Sequence, residues 1–467
     1  MAGIFRINET KIRPGSYYRI TTSDTRAVAA QQGTVAVLCK SNFGPLSTPI
    51  ELSKVSEIEN TFGNGGTVDA ITQAFEGGAV KVIGCRVGKS GTEASIGLKD
   101  TGDTTTIATI KAKYVGNRDY SVTIKDSLTD ETARECIFYS GTKELEKYTF
   151  TKGGDEASSL KEAMSGSGMF SITASGDGEK TFKVVTQETF TAGTDPTVNT
   201  EDYSTALTAL EAYDFDIVVA DSDETAVHLL LSEFVNRIFE TGQMAMTVVA
   251  EKESTTITDR MSHAAAFNNE KVVYLLNSAV TADGIDIAGY QTAARIAGMI
   301  AGTVSSRSLT HMVLNGVTEI RERLTNAQIE TAETKGCLVL SYSPAKTVWI
   351  DSAINTLITP ADNQDNGWKK IRRTKTRMEL IRRVNEVVEN LIGIVDNDTN
   401  GRATVMSQIQ TVGNDMIDEG KLVSFSVEEN EEVAADADSS YFNIDVVDKD
   451  SLEHVYLVFS FRFSTEG

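Results

Sequence analysis

Short, largely apolar runs that alternate with segments of helical period constrain this chain more than any other feature. GTVAVLCKS (33–41), AVKVIGCRV (79–87), FDIVVA (215–220), MAMTVVA (244–250) and KVVYLLN (271–277) are too short to be buried helices. They are also too uniformly apolar to be strands with one wet face. Between them lie DYSTALTALEAY (202–213), DETAVHLLLSEFVNRIFETG (223–242) and IAGYQTAARIAGMIAG (287–302), whose apolar residues recur at helical spacing. The last is rich in small residues and suited to close helix packing. VSEIENTFGNGGTVDAITQAFEGG (55–78) reads as helical turns around a glycine-rich break. Such alternation predicts a three-layer α/β domain.

Two regions depart from this rhythm. Residues 95–200 are dominated by Thr, Ser, Gly, Lys and Asp, and runs such as TTTIATIKAKYV, YSVTIKDS, KYTFTK and KTFKVVTQETFT alternate in the manner of exposed strands. They predict a β-rich insertion. After residue 345 a long helix is expected, with Met378, Ile381, Val384, Val388 and Leu391 as its apolar stripe. A second helix over about 402–419 and three strands, KLVSFSV, YFNIDVV and VYLVFSFRF, should follow. Residues 1–30 read as an extended arm. The fold class expected is therefore α/β and multidomain: an α/β sandwich domain (31–94 and 201–344) carrying the β-rich domain (95–200), then an α+β C-terminal domain (345–452), with arms at 1–30 and 453–467.

A search for catalytic chemistry yields little. Neither GxxxxGK[ST] nor GxSxG occurs, and FGNGGTVDA (62–70) lacks the third glycine of a dinucleotide loop. His228, His263, His311 and His454 are scattered without HExxH spacing, and Cys39, Cys85, Cys136 and Cys337 lie far apart without CxxC. Asp221 and Asp223 follow a strand, where α/β enzymes place catalytic groups, but the simpler expectation is that one of them caps the next helix. DNDTNG (396–401) reads as a turn. No catalytic residue, metal or cofactor is expected.

Charge narrows the partners. With 66 acidic and 44 basic residues the net charge is −22, which disfavours nucleic acid and anionic membranes. No run approaches the roughly 20 apolar residues that span a bilayer, and the N-terminus lacks the apolar core of a secretion signal, so synthesis in the cytoplasm is expected. Against this background WKKIRRTKTRMELIRRV (368–384) gathers eight basic residues. Arg372, Lys375, Arg382 and Arg383 are expected opposite the apolar stripe. Either a solvated face or contact with a protein surface accounts for them. Both chain ends are β-competent: GSYYRIT near the start, and VYLVFSFRF, in which Val455, Leu457, Phe459, Phe461 and Phe463 alternate with other residues. Such terminal strands either complete their own sheet or are donated to a neighbour.

Several segments, taken in order, resemble the contractile-tail sheath proteins of phages and phage-tail-like bacteriocins. RPGSYYRI is similar to that family's N-terminal PGVY arm, and FGPLSTPIELSKVSEIENTFG and AFEGGAVKVIGCRV to its Gly-Pro and F-x-GG patterns. IKAKYVGNRDYSVTI resembles the opening of its inserted domain, NGWKKIRRTKTRMELI its basic helix, and VYLVFSFRF its C-terminal arm. The resemblance implies a structural subunit and not an enzyme; a soluble α/β enzyme is the alternative. Many copies would stack as hexameric rings in a helical sheath around an inner tail tube protein, bounded by baseplate and tail terminator proteins. Neither direct nucleic-acid binding nor membrane insertion is implied. The sheath would contract to drive the tube through a cell envelope, and would leave the cell in a virion tail or tail-like particle released by lysis. It further implies that Lys369, Arg372, Lys375, Arg382 and Arg383 face the tube. Tyr17, Tyr18, Ile20, Val455, Leu457, Phe459, Phe461 and Phe463 would belong to arms exchanged between subunits.

Overall fold

The structure, a computed structural model, describes residues 33–175, 178–362, 364–432 and 435–461, together with the backbone of residues 3–4 and 17–18. The apolar runs form one seven-stranded sheet. Its order is Cys337–Leu338, Val272–Leu275, Met246–Val249, Ile217–Ala220, Thr34–Cys39, Lys81–Arg86 and Pro49–Leu52. All pairs are parallel except the last, where Pro49–Leu52 runs antiparallel along the edge. Burial on both faces explains the continuous apolar sequence: in Thr34–Cys39, Val35 and Val37 enter one core while Ala36 and Leu38 enter the other. The first core receives Asp69–Gly77 and Gly289–Gly302; the second receives Thr200–Leu210, Thr225–Glu240, Ile257–Phe267 and Asn326–Thr334.

The small-residue helix packs backbone to backbone, as its composition predicts. A Cβ on Gly298 would lie 2.0 Å from the Ala74 carbonyl oxygen, and one on Gly77 would lie 2.1 Å from the Arg295 carbonyl oxygen. Helix starts follow local chemistry. Asn199 caps Thr200–Leu210 with a reciprocal bond from Asp202, and Asp398, inside DNDTNG, caps Thr399–Asp418 through the Gly401 N–H.

Between the strand Lys81–Arg86 and the helix Thr200–Leu210 the chain builds two antiparallel sheets of its own. One orders Lys143–Thr151, Ala133–Ser140, Ser121–Asp126 and Val185–Thr189; the other orders Phe170–Ala174, Thr106–Ala112 and Ser95–Lys99. Their shared core stacks Phe138 on Phe170 with ring centroids 4.3 Å apart. The C-terminal region packs Ile371–Glu389, Thr399–Asp418 and the hairpin Leu422–Glu429/Phe442–Asp448 around Leu380, Val384, Ile409, Val412, Met416 and Phe425. Among the described residues no helix is long and apolar enough to cross a membrane.

Three expectations require correction. The basic helix has no free face: Ile371 and Met378 join the core of the central domain while Leu380 and Val384 join the C-terminal core, so it is wedged between two bodies. VYLVFSFRF forms no strand over its described residues 455–461, because an alternating segment needs a partner edge before it becomes a ladder. Neither Asp221 nor Asp223 caps Thr225–Glu240, whose N-cap, Glu224, makes no side-chain cap bond.

Candidate functional site

Asp221 lies at the carboxyl end of Ile217–Ala220, beside Thr34–Cys39, in the crevice where open α/β sheets bind ligands. Its carboxylate accepts the Tyr203 hydroxyl at 2.6 Å, the Lys40 N–H at 2.7 Å and the Thr67 hydroxyl. Thr67 belongs to the glycine-rich turn, which folds back so closely that a Cβ on Gly66 would lie 2.5 Å from the Lys40 carbonyl oxygen. Arg86 fills the neighbouring space, donating to the Ser41 and Gly44 carbonyls at 2.7–3.0 Å. His228 is buried with Nε2 3.0 Å from the Ser222 carbonyl oxygen. Asp221 and the glycine-rich turn therefore bind each other, His228 meets a backbone carbonyl, and His263 Nδ1 lies 2.8 Å from Glu251 in a separate pair that the sequence did not suggest. Among the described residues no group of three or more His, Cys, Asp or Glu side chains could hold a metal ion.

The basic helix is equally committed. Arg372 is 6% exposed and donates to the Ser451 hydroxyl at 2.6 Å. Lys375 donates to the carbonyls of Ile300 and Thr303 at the end of the small-residue helix, and burial pushes its ammonium down to about 8. Arg382 bonds Asp216 at 2.8 Å and the Met244 carbonyl at 2.8 Å. Arg383 bonds Glu379 at 2.6 Å and Glu419 at 2.9 Å. Lys369 is exposed and makes no side-chain hydrogen bond or ion pair among the described residues. Thus the expected basic surface dissolves into a set of intramolecular bonds, and one lysine remains outside it.

The chain ends are arranged differently. From Val455 to Phe461 the apolar side chains are between 64 and 94% exposed. The hairpin Leu422–Glu429/Phe442–Asp448 is a two-stranded sheet with both outer edges open among the described residues, and it exposes Val423, Ile444, Val446 and Val447. Gly3–Ile4 pairs in parallel with Tyr17–Tyr18; Ile20 and Phe463 lie outside the described residues. The residues that sequence reasoning missed are Asp216, Asp448, Asp450 and Glu453; Lys370 and Arg373 were counted in the basic run without their partners. A signal for them existed in the acidic run DVVDKDSLE (445–453), which complements KKIRR (369–373) in charge.

Comparison with known proteins bears on all of this. Residues 197–356 match the model of the phage tail sheath protein central domain, and residues 363–462 match that of the phage tail sheath C-terminal domain. The phage-like element PBSX protein XkdK of Bacillus subtilis (strain 168) is 22% identical over 95% of this chain and 96% of its own. The sheath tail protein of Desulfitobacterium hafniense superposes with a TM-score of 0.71 at 19% identity, covering 93% of this chain and 100% of that one. The helical sheath of the anti-feeding prophage in its contracted state superposes with a TM-score of 0.54 at 10% identity, covering 97% and 99%.

Proposed function

Since the chain belongs to the phage tail sheath protein family, we propose that its copies polymerise as stacked hexameric rings around an inner tail tube and contract to drive that tube through a target envelope. The carrying observation is the apolar C-terminal segment, exposed from Val455 to Phe461 on an otherwise well-packed subunit. A subunit with a loose β-competent end and an open-edged hairpin holds both halves of a strand-exchange joint. Repeating that head-to-tail contact generates rings and helices. Contraction is then a rigid-body rearrangement of subunits that the arms keep connected.

The C-terminal domain with the N-terminal arm would lie innermost, and the inserted sheets outermost. Of the five residues expected at the tube, the proposed contact rests on Lys369, with Arg372, Lys375, Arg382 and Arg383 one layer behind it. Baseplate and terminator proteins would bound the assembly, and lysis would release it. No catalytic step is assigned. The test is truncation after Glu453. We expect a folded subunit that no longer forms sheath-like polymers in negative-stain images; polymers indistinguishable from those of the full chain would refute the reading.

A further inference from the structure

We propose that the basic helix is a tie between the roots of the two arms, carrying load from one inter-subunit joint to the other through a single element. The inference rests on the reading of the chain ends as exchanged arms.

The root of the C-terminal arm is bonded residue by residue to the start of the helix. Asp448 accepts the Arg373 fork at 2.7 Å through both Nε and Nη2. Lys370 Nζ donates to Asp450 at 2.8 Å and lies 3.1 Å from Glu453. Arg372 holds Ser451, while Glu453 also accepts the hydroxyls of Ser308 and Thr310 at 3.3 Å. Beyond Glu453 no further hydrogen bond or ion pair is made among the described residues, and an unbroken run of exposed side chains follows, although Leu452 is already exposed before it. The boundary between held and free chain is therefore sharp. The same guanidinium also bonds Asp365 through Nη1 at 2.9 Å; its two-point clasp of Asp448 fixes direction as well as distance, which a single lysine contact does not.

Farther along, seven residues before the helix ends at Glu389, it reaches the opposite root. Arg382 bonds Asp216 Oδ1, and Asp216 Oδ2 accepts the N–H groups of Gly33 at 2.7 Å and Thr34 at 3.0 Å. Gly33 and Thr34 are where the N-terminal region joins the central sheet. From Arg373 to Arg382 the helix rises only about 14 Å. Between these two points it is fixed sideways: Lys375 bonds the carbonyls of Ile300 and Thr303, and Arg377 bonds Glu270 at 3.3 Å while its guanidinium lies 3.7 Å from the Trp368 ring centroid. Bonds within the chain occupy seven of the eight basic residues, Lys369 being the exception, so most of the cluster needs no external anion.

The test compares the full-length chain with Arg373→Asp, Asp448→Arg, the double exchange and Arg373→Lys, measuring the concentration needed to form sheath-like polymers by sedimentation and negative stain. The single reversals should give folded subunits that need about tenfold more protein or do not polymerise, and the exchange should restore part of the loss, since Asp365, which also bonds Arg373, then faces a second carboxylate. Arg373→Lys keeps the charge without the fork, so it should fall between them; if the reversals do not fold, this variant carries the test. Polymerisation of Arg373→Asp, or of Arg373→Lys where that variant is decisive, at the concentration of the unaltered chain overturns the proposal. If truncation after Glu453 abolishes polymers while these variants assemble normally, the tie alone falls. If the truncated chain still polymerises, the arm reading falls and the tie falls with it.

Discussion

Replacing Glu379 with alanine removes the carboxylate on which the C-terminal charges converge. Glu379 is 3% exposed; it accepts Lys421 Nζ at 2.7 Å, Arg383 Nη2 at 2.6 Å and the Ser305 hydroxyl. Glu419, at the surface, bonds the same two cations and completes a ring of two acids and two bases. Breaking a buried pair from one side costs about 3–5 kcal/mol. Because Glu419 still partners both cations, the lower part of that range applies, and the orphaned Ser305 hydroxyl adds about 1 kcal/mol. The expected loss is therefore about 3–4 kcal/mol at neutral pH. Lys421→Met alone should also destabilise, but added to Glu379→Ala it removes the surplus cation, leaving Arg383 with Glu419. The double variant should then be less damaged than the sum of the singles, by about 2 kcal/mol. The measurement is urea unfolding followed by tryptophan fluorescence, to which Trp368, three residues before Ile371, and Trp349 both contribute. Burial works to raise the Glu379 carboxyl, but the bonds from Lys421 and Ser305 and the nearby Arg383 charge hold it below its ordinary value. Its stabilisation is thus full above the ordinary carboxylate range and lost as pH falls through the depressed value, so the difference between wild type and Glu379→Ala should shrink in acid. Additivity of the two singles to within about 0.5 kcal/mol would show that the ring is not a coupled unit.

Three further outcomes are expected. Lys375 titrates at about 8 in the folded chain and near 10.4 when unfolded, so the unfolded state binds more protons between these values and this group's contribution rises with pH across that window; the stability difference between wild type and Lys375→Met should climb there and be flat below it, in urea titrations at stepped pH. Gly298→Ala gains about 1 kcal/mol of helix propensity but drives a Cβ to 2.0 Å from the Ala74 carbonyl oxygen; overpacking by about 1–3 kcal/mol or more should win and lower the melting temperature, whereas Gly166→Ala, with nothing within 4 Å of the added carbon, should be near neutral. Burial pushes the thiols of Cys85 and Cys337 up to about 12, and Cys39 and Cys136 are buried too, so an aromatic disulfide reagent should label the native chain only at the rate of opening.

The central sheet was legible because burial on both faces leaves an unambiguous mark: GTVAVLCKS and AVKVIGCRV can hardly be anything but inner strands. The helices that cover it were legible from period, and DYSTALTALEAY carried its acidic start, Asp202, as the partner in its capping box. The role of the basic helix was not legible, for a physical reason. A run of arginines looks solvated when its counter-charges are distant in sequence, and here Asp216 lies 166 residues from Arg382 and Asp448 lies 75 from Arg373. Periodicity showed one apolar stripe, whereas the fold divides the helix between two cores. The C-terminal segment was read as a strand from its alternation, but alternation supplies only one side of a ladder, and residues 455–461 pair with no edge among the described residues. Asp221 misled because a short acid after a strand is a good helix cap in isolation, and nothing local reveals that Thr67 and Tyr203 will reach it first.

The tyrosine, threonine and backbone N–H that converge on Asp221 have a consequence for control. A crevice corked by its own side chains cannot be tuned by a small effector binding in that spot. Any ligand entering there would first have to displace the Tyr203 and Thr67 hydroxyls from Asp221.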